Sequence, residues 1–301
     1  MTDLSDIDAS RAPWVLFLHG GAKEIPPEEE RANREGCLKA LDAGAKVLRD
    51  GGSAVDAVAA ALRVLEQEEV FNAGYGSAPN ADGEVEMDAA IMDGETLDIG
   101  GVAGIRGVRH PSEVARLMLR EQPTLLVADG ARRFAADKGA ELCDPDELLK
   151  PEDRKGKPPE KDTVGCVALD PFGHVAAGCS TGGLDGNPPG RVGDTALPGA
   201  GLYADDALGA VAFSGDGESI CRAMLAAHVM RDLENAGPQE AADAAIARLG
   251  RVGGEAGCIV VDRGGRIGWA HNSAHFAVAY ASGGTDEARV YLKKDEEEGT
   301  P

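Results

Sequence analysis

The sequence lacks long apolar segments and has few aromatic residues. Phenylalanine, tryptophan and tyrosine make up 4% of its 301 residues, so alanine, valine and glycine supply most of the apolar content. No apolar run approaches the roughly 18 residues that a helix needs to span a bilayer. The segment Met1–Arg11 is acidic and lacks the basic start of a signal peptide. We therefore expect a cytoplasmic protein without a membrane partner.

Positive charge is also scarce. The chain has 30 Lys and Arg residues against 52 Asp and Glu residues, which gives a formal net charge of −22. Because a phosphate-binding surface needs clustered cations, this balance argues against nucleic-acid binding. The six cysteines show no C-x-x-C spacing, which argues against a zinc site or a disulfide framework. The chain is long enough to bury one substantial core.

Hydrophobic periodicity predicts a strand and helices in the first half, then two hairpins that flank two helices. The first strand, Trp14–Leu18, runs into a predicted glycine turn at His19–Ala22. Antiparallel strands with helices grouped between them favour a layered α+β fold over alternating βαβ units. The predicted helices are Glu28–Arg49, Ala54–Glu66, Glu113–Leu119, Asp129–Lys138, Glu218–Asn235 and Gln239–Leu249, and the hairpin strands are Thr163–Leu169, His174–Cys179, Gly257–Asp262 and Arg266–His271.

The amino-acid composition of the sequence changes at Asp144–Asp162. This segment is dense in charge and proline and has almost no large apolar residues, a composition typical of a solvated, mobile linker. At Thr163 it switches abruptly to an apolar strand. A linker that ends at the first residue of a core strand indicates a processing site.

Thr163 is the candidate nucleophile. A threonine hydroxyl needs a neighbouring base, and a free α-amino group on the same residue can be that base once the preceding peptide bond is broken. Such an amine titrates near 7.7–8.0, close to neutral pH. By itself, Thr163 is better explained as a β-branched residue that opens a strand. Its surroundings change that balance.

Three further segments carry groups that suit amide chemistry. Ser180-Thr181 offers a second threonine hydroxyl before a glycine pair. In the loop 190–194, Arg191 can clamp a carboxylate and Asp194 can hold an ammonium, which together match the zwitterionic end of an amino acid. Segment 214–218 ends a strand and opens a helix, where a hydroxyl and backbone N–H groups can stabilise an oxyanion. Taken singly, these features also fit a surface salt bridge and an ordinary helix cap.

Two competing motifs fail on their context. Residues 178–182 match the G-x-S-x-G elbow of serine hydrolases, but that elbow must turn into a helix. The sequence that follows, Gly-Leu-Asp-Gly-Asn-Pro-Pro-Gly, cannot be helical. Neither phosphate-loop pattern is present, and the histidines show no metal-ligand spacing.

Taken together, eight segments in this order resemble the plant-type asparaginase and isoaspartyl peptidase family of N-terminal nucleophile (Ntn) hydrolases, which belongs to the glycosylasparaginase superfamily. Each segment alone is weak evidence for the family, whereas the whole set in this order is specific to it. The segments are His19-Gly-Gly-Ala22, Phe71-Asn-Ala-Gly-Tyr-Gly76, Met87-Asp-Ala-Ala-Ile-Met-Asp-Gly94, Asp162-Thr-Val-Gly165, Ser180-Thr-Gly-Gly183, Gly190-Arg-Val-Gly-Asp194, Gly199-Ala-Gly-Leu-Tyr-Ala-Asp205 and Ser214-Gly-Asp-Gly-Glu218.

The resemblance implies a four-layer αββα sandwich that cleaves itself between Asp162 and Thr163. The products would be an α chain of residues 1–162 and a β chain of residues 163–301. The implied enzyme hydrolyses β-aspartyl peptides and L-asparagine through a β-aspartyl ester on the nucleophile. For catalysis, the resemblance implies Thr163 as the nucleophile, Thr181 as the hydroxyl that supports it, and Ser214 with Gly215 as the oxyanion hole. For substrate binding, it implies that Arg191 binds the α-carboxylate and that Asp194 with Gly217 binds the α-amino group. Gly215 is also implied to lie in the substrate site.

The resemblance also implies a structural sodium ion, no organic cofactor and a dimer of αβ heterodimers. The sodium ligands would be mainly backbone carbonyls of the loop after the second helix. This loop contributes Leu65, Glu66, Glu68, Phe71, Ala73 and Tyr75.

Three departures leave two alternatives open. Ser214 stands where the family usually has threonine, and Asp162 stands where many isoaspartyl peptidases have glycine. An Asp-Thr bond and the segment 173–178 lean towards glycosylasparaginases, which act on glycosylated asparagine. The opening His19–Ala22 motif and the Asn72 loop favour the isoaspartyl peptidase branch. The second alternative is a binding relative that never cleaves.

Overall fold

Two β-sheets lie face to face at the centre of the molecule, with helices on both outer faces. The computed structural model describes residues 14–149, 162–284 and 287–298. In chain order the strands of these residues are β1 (Val15–Lys23), β2 (Met87–Asp93), β3 (Ile99–Ile105), β4 (Leu125–Val127), β5 (Val164–Leu169), β6 (Val175–Thr181), β7 (Leu202–Asp205), β8 (Gly209–Gly215), β9 (Ala256–Asp262), β10 (Ile267–His271), β11 (His275–Ser282) and β12 (Arg289–Tyr291).

The larger sheet has the order β12-β11-β1-β5-β6-β2-β3-β4, and the smaller one has the order β10-β9-β8-β7. The β5–β6 hairpin occupies the middle of the larger sheet, whereas the β9–β10 hairpin lies in the smaller sheet. The structure therefore confirms both predicted hairpins. It adds β11, which pairs with β1 along its length and was not predicted.

Helices complete the outer layers. They are α1 (Pro27–Arg49), α2 (Ala54–Leu65), α3 (Pro111–Met118), α4 (Ala128–Asp137), α5 (Gly217–Ala223), α6 (Leu225–Asp232), α7 (Pro238–Arg248) and α8 (Lys294–Glu298). The first helices pack on the larger sheet, and α6 and α7 pack on the smaller one. Ser53 caps α2 as its sequence position indicates, with its side chain accepting a hydrogen bond from the Asp56 amide. No helix in the described ranges is long and apolar enough to cross a membrane.

Three apolar clusters hold these four layers together. One lies between the outer helices and the larger sheet, one between the two sheets, and one between the smaller sheet and its helices. Fully buried leucines such as Leu16 and Leu62 contribute to the first cluster, and burying one such side chain stabilises a fold by roughly 1.5–3 kcal/mol. The α+β class is thus confirmed, as an αββα sandwich.

The predicted glycine turn at His19–Ala22 is wrong. These residues continue β1, and a register shift between His19 and Gly21 marks a bulge. Gly21 has a φ of 113°, which L side chains rarely adopt, so glycine lets the strand bend without ending.

The predicted linker Asp144–Asp162 begins with a short helix. Pro145–Leu148 forms a short 3-10 helix with a capping box on Asp144, and Leu148 is buried. The amide of Gly76 donates a hydrogen bond to the Leu148 carbonyl, which ties this turn to the loop after α2. The remainder of the predicted linker, residues 150–161, lies outside the described residues.

The predicted helix Glu218–Asn235 is broken in two. Met224 adopts a left-handed conformation, with φ 49° and ψ 50°, between α5 and α6. At the start of α6, the amides of Ala226 and Ala227 donate to the carbonyls of Ala200 and Gly199. These contacts to another loop redirect the chain, and helical periodicity carries no information about them.

Candidate active site

The ends of three strands meet at one edge of the sandwich. Thr163 immediately precedes β5, Thr181 ends β6, and Ser214 lies near the end of β8. The register of β5 and β6 pairs Val164 with Ser180, which brings the two threonines together across the hairpin. Strand β8 of the facing sheet packs against β5 and supplies the serine.

The carbonyl oxygen of Asp162, which belongs to the peptide bond before Thr163, lies in a cradle of two donors. The Thr181 hydroxyl donates to it at 2.8 Å, and the side-chain amide of Asn72 donates at 3.3 Å. The same Asn72 amide donates to the Gly183 carbonyl at 2.7 Å, and its carbonyl oxygen accepts from the Ala78 amide. Its orientation is therefore fixed from both ends.

Thr163 itself is 6% exposed. Its backbone amide donates to the Ser214 hydroxyl oxygen at 3.2 Å, and its own hydroxyl lies 3.4 Å from that of Thr195. The Ser214 oxygen also accepts from the Ala22 amide at 3.0 Å. Ser214 thus holds the backbone nitrogen of Thr163, the predicted nucleophile, through its hydroxyl oxygen.

His19 is poorly suited to act as a base for Thr163. Its imidazole lies on β1, where the residue pairs with Gly165, and it is fully buried. Burial lowers the pKa of His19 to about 3, although the neighbouring Thr163 carbonyl acts in the opposite direction. So weak a base cannot take a hydroxyl proton efficiently at neutral pH.

The predicted substrate clamp is assembled at the neighbouring loop. Arg191 pairs bidentately with Glu218, with its Nε 2.9 Å from Oε1 and its Nη2 2.8 Å from Oε2. A Cβ placed on Gly217 would lie 2.9 Å from the Asp194 carboxylate and 3.0 Å from Arg191 Nη2. The structure therefore brings together Arg191, Asp194 and Gly217, as the sequence predicts.

Two buried acids accompany this clamp. Burial raises the pKa of Asp194 to about 7, and that of Asp88 to about 6, with Arg191 lowering both. One carboxylate oxygen of Asp194 is buried and has no hydrogen-bond partner in the described part of the chain. A buried acceptor of this kind suits an ammonium group, which would satisfy it.

In the loop after α2, backbone carbonyls that accept a hydrogen bond alternate with carbonyls that accept none from the described residues. Those of Phe71, Ala73 and Tyr75 accept no hydrogen bond from the residues described here, whereas the intervening carbonyls do. Carbonyl oxygens are ligands that hard cations prefer. Three of the predicted sodium ligands, Phe71, Ala73 and Tyr75, therefore suit such an ion by their chemistry, whereas the carbonyls of Glu66 and Glu68 already accept hydrogen bonds from the amides of Tyr75 and Phe71. The intervening accepting carbonyls are those of Val70, Asn72 and Gly74.

The two glutamate side chains among the predicted sodium ligands make contacts outside the loop. Glu66 is fully buried and accepts hydrogen bonds from the Ser112 amide and hydroxyl and from the Ser180 hydroxyl. The Glu68 carboxylate pairs with Lys39 on α1 at 2.9 Å. Glu66 thereby also links α2 to the residue beside Thr181.

Sequence reasoning missed four polar residues that the structure places at the site. Asn72 and Asp88 lie inside motifs that carry the family resemblance, so the signal was present without a role. Thr195 directly follows the predicted clamp residue Asp194. Lys23 ends β1, one residue after the His19–Ala22 motif, and nothing in its neighbours along the chain distinguishes it.

An αββα sandwich with a threonine at the start of a central strand defines the class of Ntn hydrolases. Comparison with protein families gives the same result, because the asparaginase family model matches residues 12–156 and 146–290. These matches span most of the sequence. The chain belongs to this asparaginase family.

Curated relatives are similar over nearly the whole chain. An isoaspartyl peptidase/L-asparaginase of Xenopus laevis is 39% identical over 303 residues, which cover 95% of this chain and 97% of the relative. The proteins of the same name from Bos taurus and Homo sapiens are 40% and 39% identical, each covering 89% of this chain and 93% of the relative.

Proposed function

We propose that the protein is an isoaspartyl peptidase and L-asparaginase, which hydrolyses the side-chain amide of an L-aspartyl group. One observation carries the proposal: the carbonyl oxygen of the peptide bond before Thr163, that of Asp162, accepts hydrogen bonds from both Thr181 and Asn72. The names of the curated relatives support the same activity.

The first step in this proposal is self-cleavage. The Thr163 hydroxyl oxygen attacks the carbonyl carbon of Asp162, and the peptide C–N bond breaks. The proton lost by the hydroxyl ends on the departing amine, which leaves an ester. Water then hydrolyses the ester to the Asp162 carboxylate and a free Thr163. The donors Thr181 and Asn72 support the step because they contact the oxygen that becomes negative.

The freed α-amino group of Thr163 then serves as the base for substrate hydrolysis. Thr163 attacks the side-chain carbonyl of the bound aspartyl group and releases ammonia or an amino acid. Water hydrolyses the resulting ester to L-aspartate. In this proposal, Ser214 and Gly215 stabilise the oxyanion, and Thr181 supports the nucleophile.

Arg191 and Asp194 select the substrate by its α-groups. Arg191 holds the α-carboxylate, and Asp194 with the Gly217 carbonyl holds the α-amino group, so only the side-chain carbonyl reaches Thr163. In an α-linked peptide the α-carboxylate is consumed in the amide bond. Arg191 would then face an uncharged group in a partly closed site, which loses the ion pair.

A substrate panel tests this assignment. We expect hydrolysis of β-Asp-Leu and L-asparagine and rejection of α-Asp-Leu, measured as kcat/KM at one pH. Arg191→Ala should lower kcat/KM for β-Asp-Leu at least about thirtyfold, since losing such a charged partner costs about 2–5 kcal/mol. Arg222→Ala, a change in an arginine at the end of α5, is the control and should leave kcat/KM unchanged.

Comparable rates on the α- and β-linked dipeptides would show that the clamp does not select the substrate. Activity confined to a glycosylated asparagine would assign the protein to the glycosylasparaginase alternative. A chain that binds β-aspartyl dipeptide and never cleaves it would be a binding relative.

We further propose a cytoplasmic dimer of αβ heterodimers, with chains 1–162 and 163–301, a small-molecule or dipeptide substrate and a structural sodium ion. Backbone carbonyls of the loop after α2 would hold the ion, which would supply only a fixed positive charge that stiffens the loop. Sedimentation and elemental analysis of the purified protein test the assembly and the ion.

A further inference from the structure

Lys23, the last residue of β1, is a buried cation beside the bond proposed to be cleaved. Its Nζ lies 2.7 Å from Oδ2 of Asp162, and the two side chains are 4% and 0% exposed. Lys23 also donates to the Val70 carbonyl at 3.0 Å. Because an unpaired ion is strongly disfavoured in such surroundings, each partner holds the other in place.

The Asp162 side chain also packs closely against Gly21 on the same strand, β1. A Cβ added to Gly21 would collide with Oδ1 of Asp162, so the carboxylate occupies the space that a larger residue would fill. The bulge in β1 brings this glycine under the carboxylate, and Lys23 follows two residues later. The two features come from one short stretch of sequence.

Asp162 is thereby fixed at two points. Its carboxylate is held by Lys23, and its carbonyl oxygen is held by Thr181 and Asn72. Two anchors on one residue restrict rotation of the peptide plane between Asp162 and Thr163. A bond that must meet a hydroxyl in a defined direction reacts faster when its orientation is restricted.

We propose that Lys23 is a positioning residue for self-cleavage and that it acts through the side chain of Asp162. This inference rests on the cleavage proposed above. It also explains how an aspartate is accommodated in a buried position before Thr163, because the chain carries a buried counter-ion for it.

A double-mutant cycle tests the coupling. Newly synthesised chains from a cell-free system are followed on denaturing gels, which gives the rate of cleavage at Thr163. We expect Lys23→Met to slow cleavage at least tenfold in the natural sequence. In the Asp162→Gly background the same change should alter the rate less than twofold, because no carboxylate remains to be positioned.

Two further variants separate positioning from folding. Lys23→Arg keeps the ion pair and should cleave within about threefold of the natural rate, while Lys46→Met removes an exposed lysine of α1 and should have no effect. In an uncleavable Thr163→Ala chain, the double variant Lys23→Met/Asp162→Gly should unfold at higher temperature than either single variant, since each single change removes the oppositely charged partner of a buried ion.

Several outcomes would overturn the inference. Natural cleavage rates in Lys23→Met would do so. Equal slowing by Lys23→Met in the natural sequence and in the Asp162→Gly background would assign Lys23 a structural role through Val70. If Asp162→Gly abolishes cleavage by itself, the comparison of Lys23→Arg with Lys23→Met decides. Lys23→Arg must then cleave at close to the natural rate while Lys23→Met is slow. Equally slow cleavage in both Lys23 variants contradicts the inference. If the natural chain never cleaves, the proposed self-cleavage itself fails.

Discussion

At the residue scale, the clamp is organised by charges that have little access to water. Asp88 and Asp194 are nine-tenths buried or more, and Arg191 is 14% exposed. Asp88 accepts hydrogen bonds from the Gly104 amide at 2.8 Å and the Gly193 amide at 3.4 Å. The second bond holds the loop 190–194 in place. Asp194 is left with an unused carboxylate oxygen among the described residues. If Asp194 holds the α-amino group of the substrate as proposed, its protonation depends on whether that ammonium group is bound.

This dependence predicts how substrate binding varies with pH. The pKa of Asp194 is about 7 in the empty site because burial disfavours its charge. A bound ammonium favours the ionised form, so binding releases a proton from Asp194 below pH 7. The Kd of L-aspartate, measured by calorimetry, should fall about tenfold per pH unit as pH rises towards 7 and then level off.

The matched control is Asp194→Asn. This variant should bind L-aspartate more weakly and without the steep dependence below pH 7. A Kd that stays constant from pH 5 to 7 in the natural protein would contradict the role given to Asp194.

Site residues could be predicted from the sequence where they lie in short local motifs, and not where their role depends on contacts with residues far away along the chain. Thr163, Thr181, Arg191 and Asp194 lie in short motifs whose residue types suggest chemistry, and the structure brings them together. Asn72 acts on partners that are 90 and 111 residues away along the chain. Contacts over such distances leave no local pattern, so its role required the fold.

At the scale of elements, periodicity predicted the ends of α1, α2 and α7 within two residues and both hairpins within one or two residues. It failed where other parts of the chain decide the conformation. Strand β11 is built on alanines that give a weak hydrophobic pattern. The break at Met224 arises from hydrogen bonds between α6 and the carbonyls of residues 199–200.

The left-handed Met224 gives a prediction about stability. A side chain in this conformation costs about 1–2 kcal/mol relative to glycine, and Met224 is 48% exposed, so little burial is lost on its removal. Met224→Gly should therefore raise the free energy of unfolding by about 1 kcal/mol in urea titrations. Ala227→Gly, in the following helix, should lower it by about 0.5–1 kcal/mol. A destabilised Met224→Gly would show that the methionine side chain contributes more than its conformation costs.

At the scale of the whole molecule, the two proposed chains share one sheet. Strands β1 to β4 precede Thr163, whereas β5, β6, β11 and β12 follow it, and β1 lies between β5 and β11. The cluster between the two sheets also contains residues from both parts, such as Phe17 and Trp269. Cleavage before Thr163 would break one bond and leave this packing intact, so we expect the products to stay associated.

The most direct test is the intact mass of the purified protein under denaturing conditions. We expect two chains, the second starting at Thr163, which elute together on native size exclusion. We also expect Thr163→Ala to remain a single 301-residue chain. A second chain that starts at another residue, or an active natural protein that is uncleaved, would rule out Thr163 as the self-cleaving nucleophile.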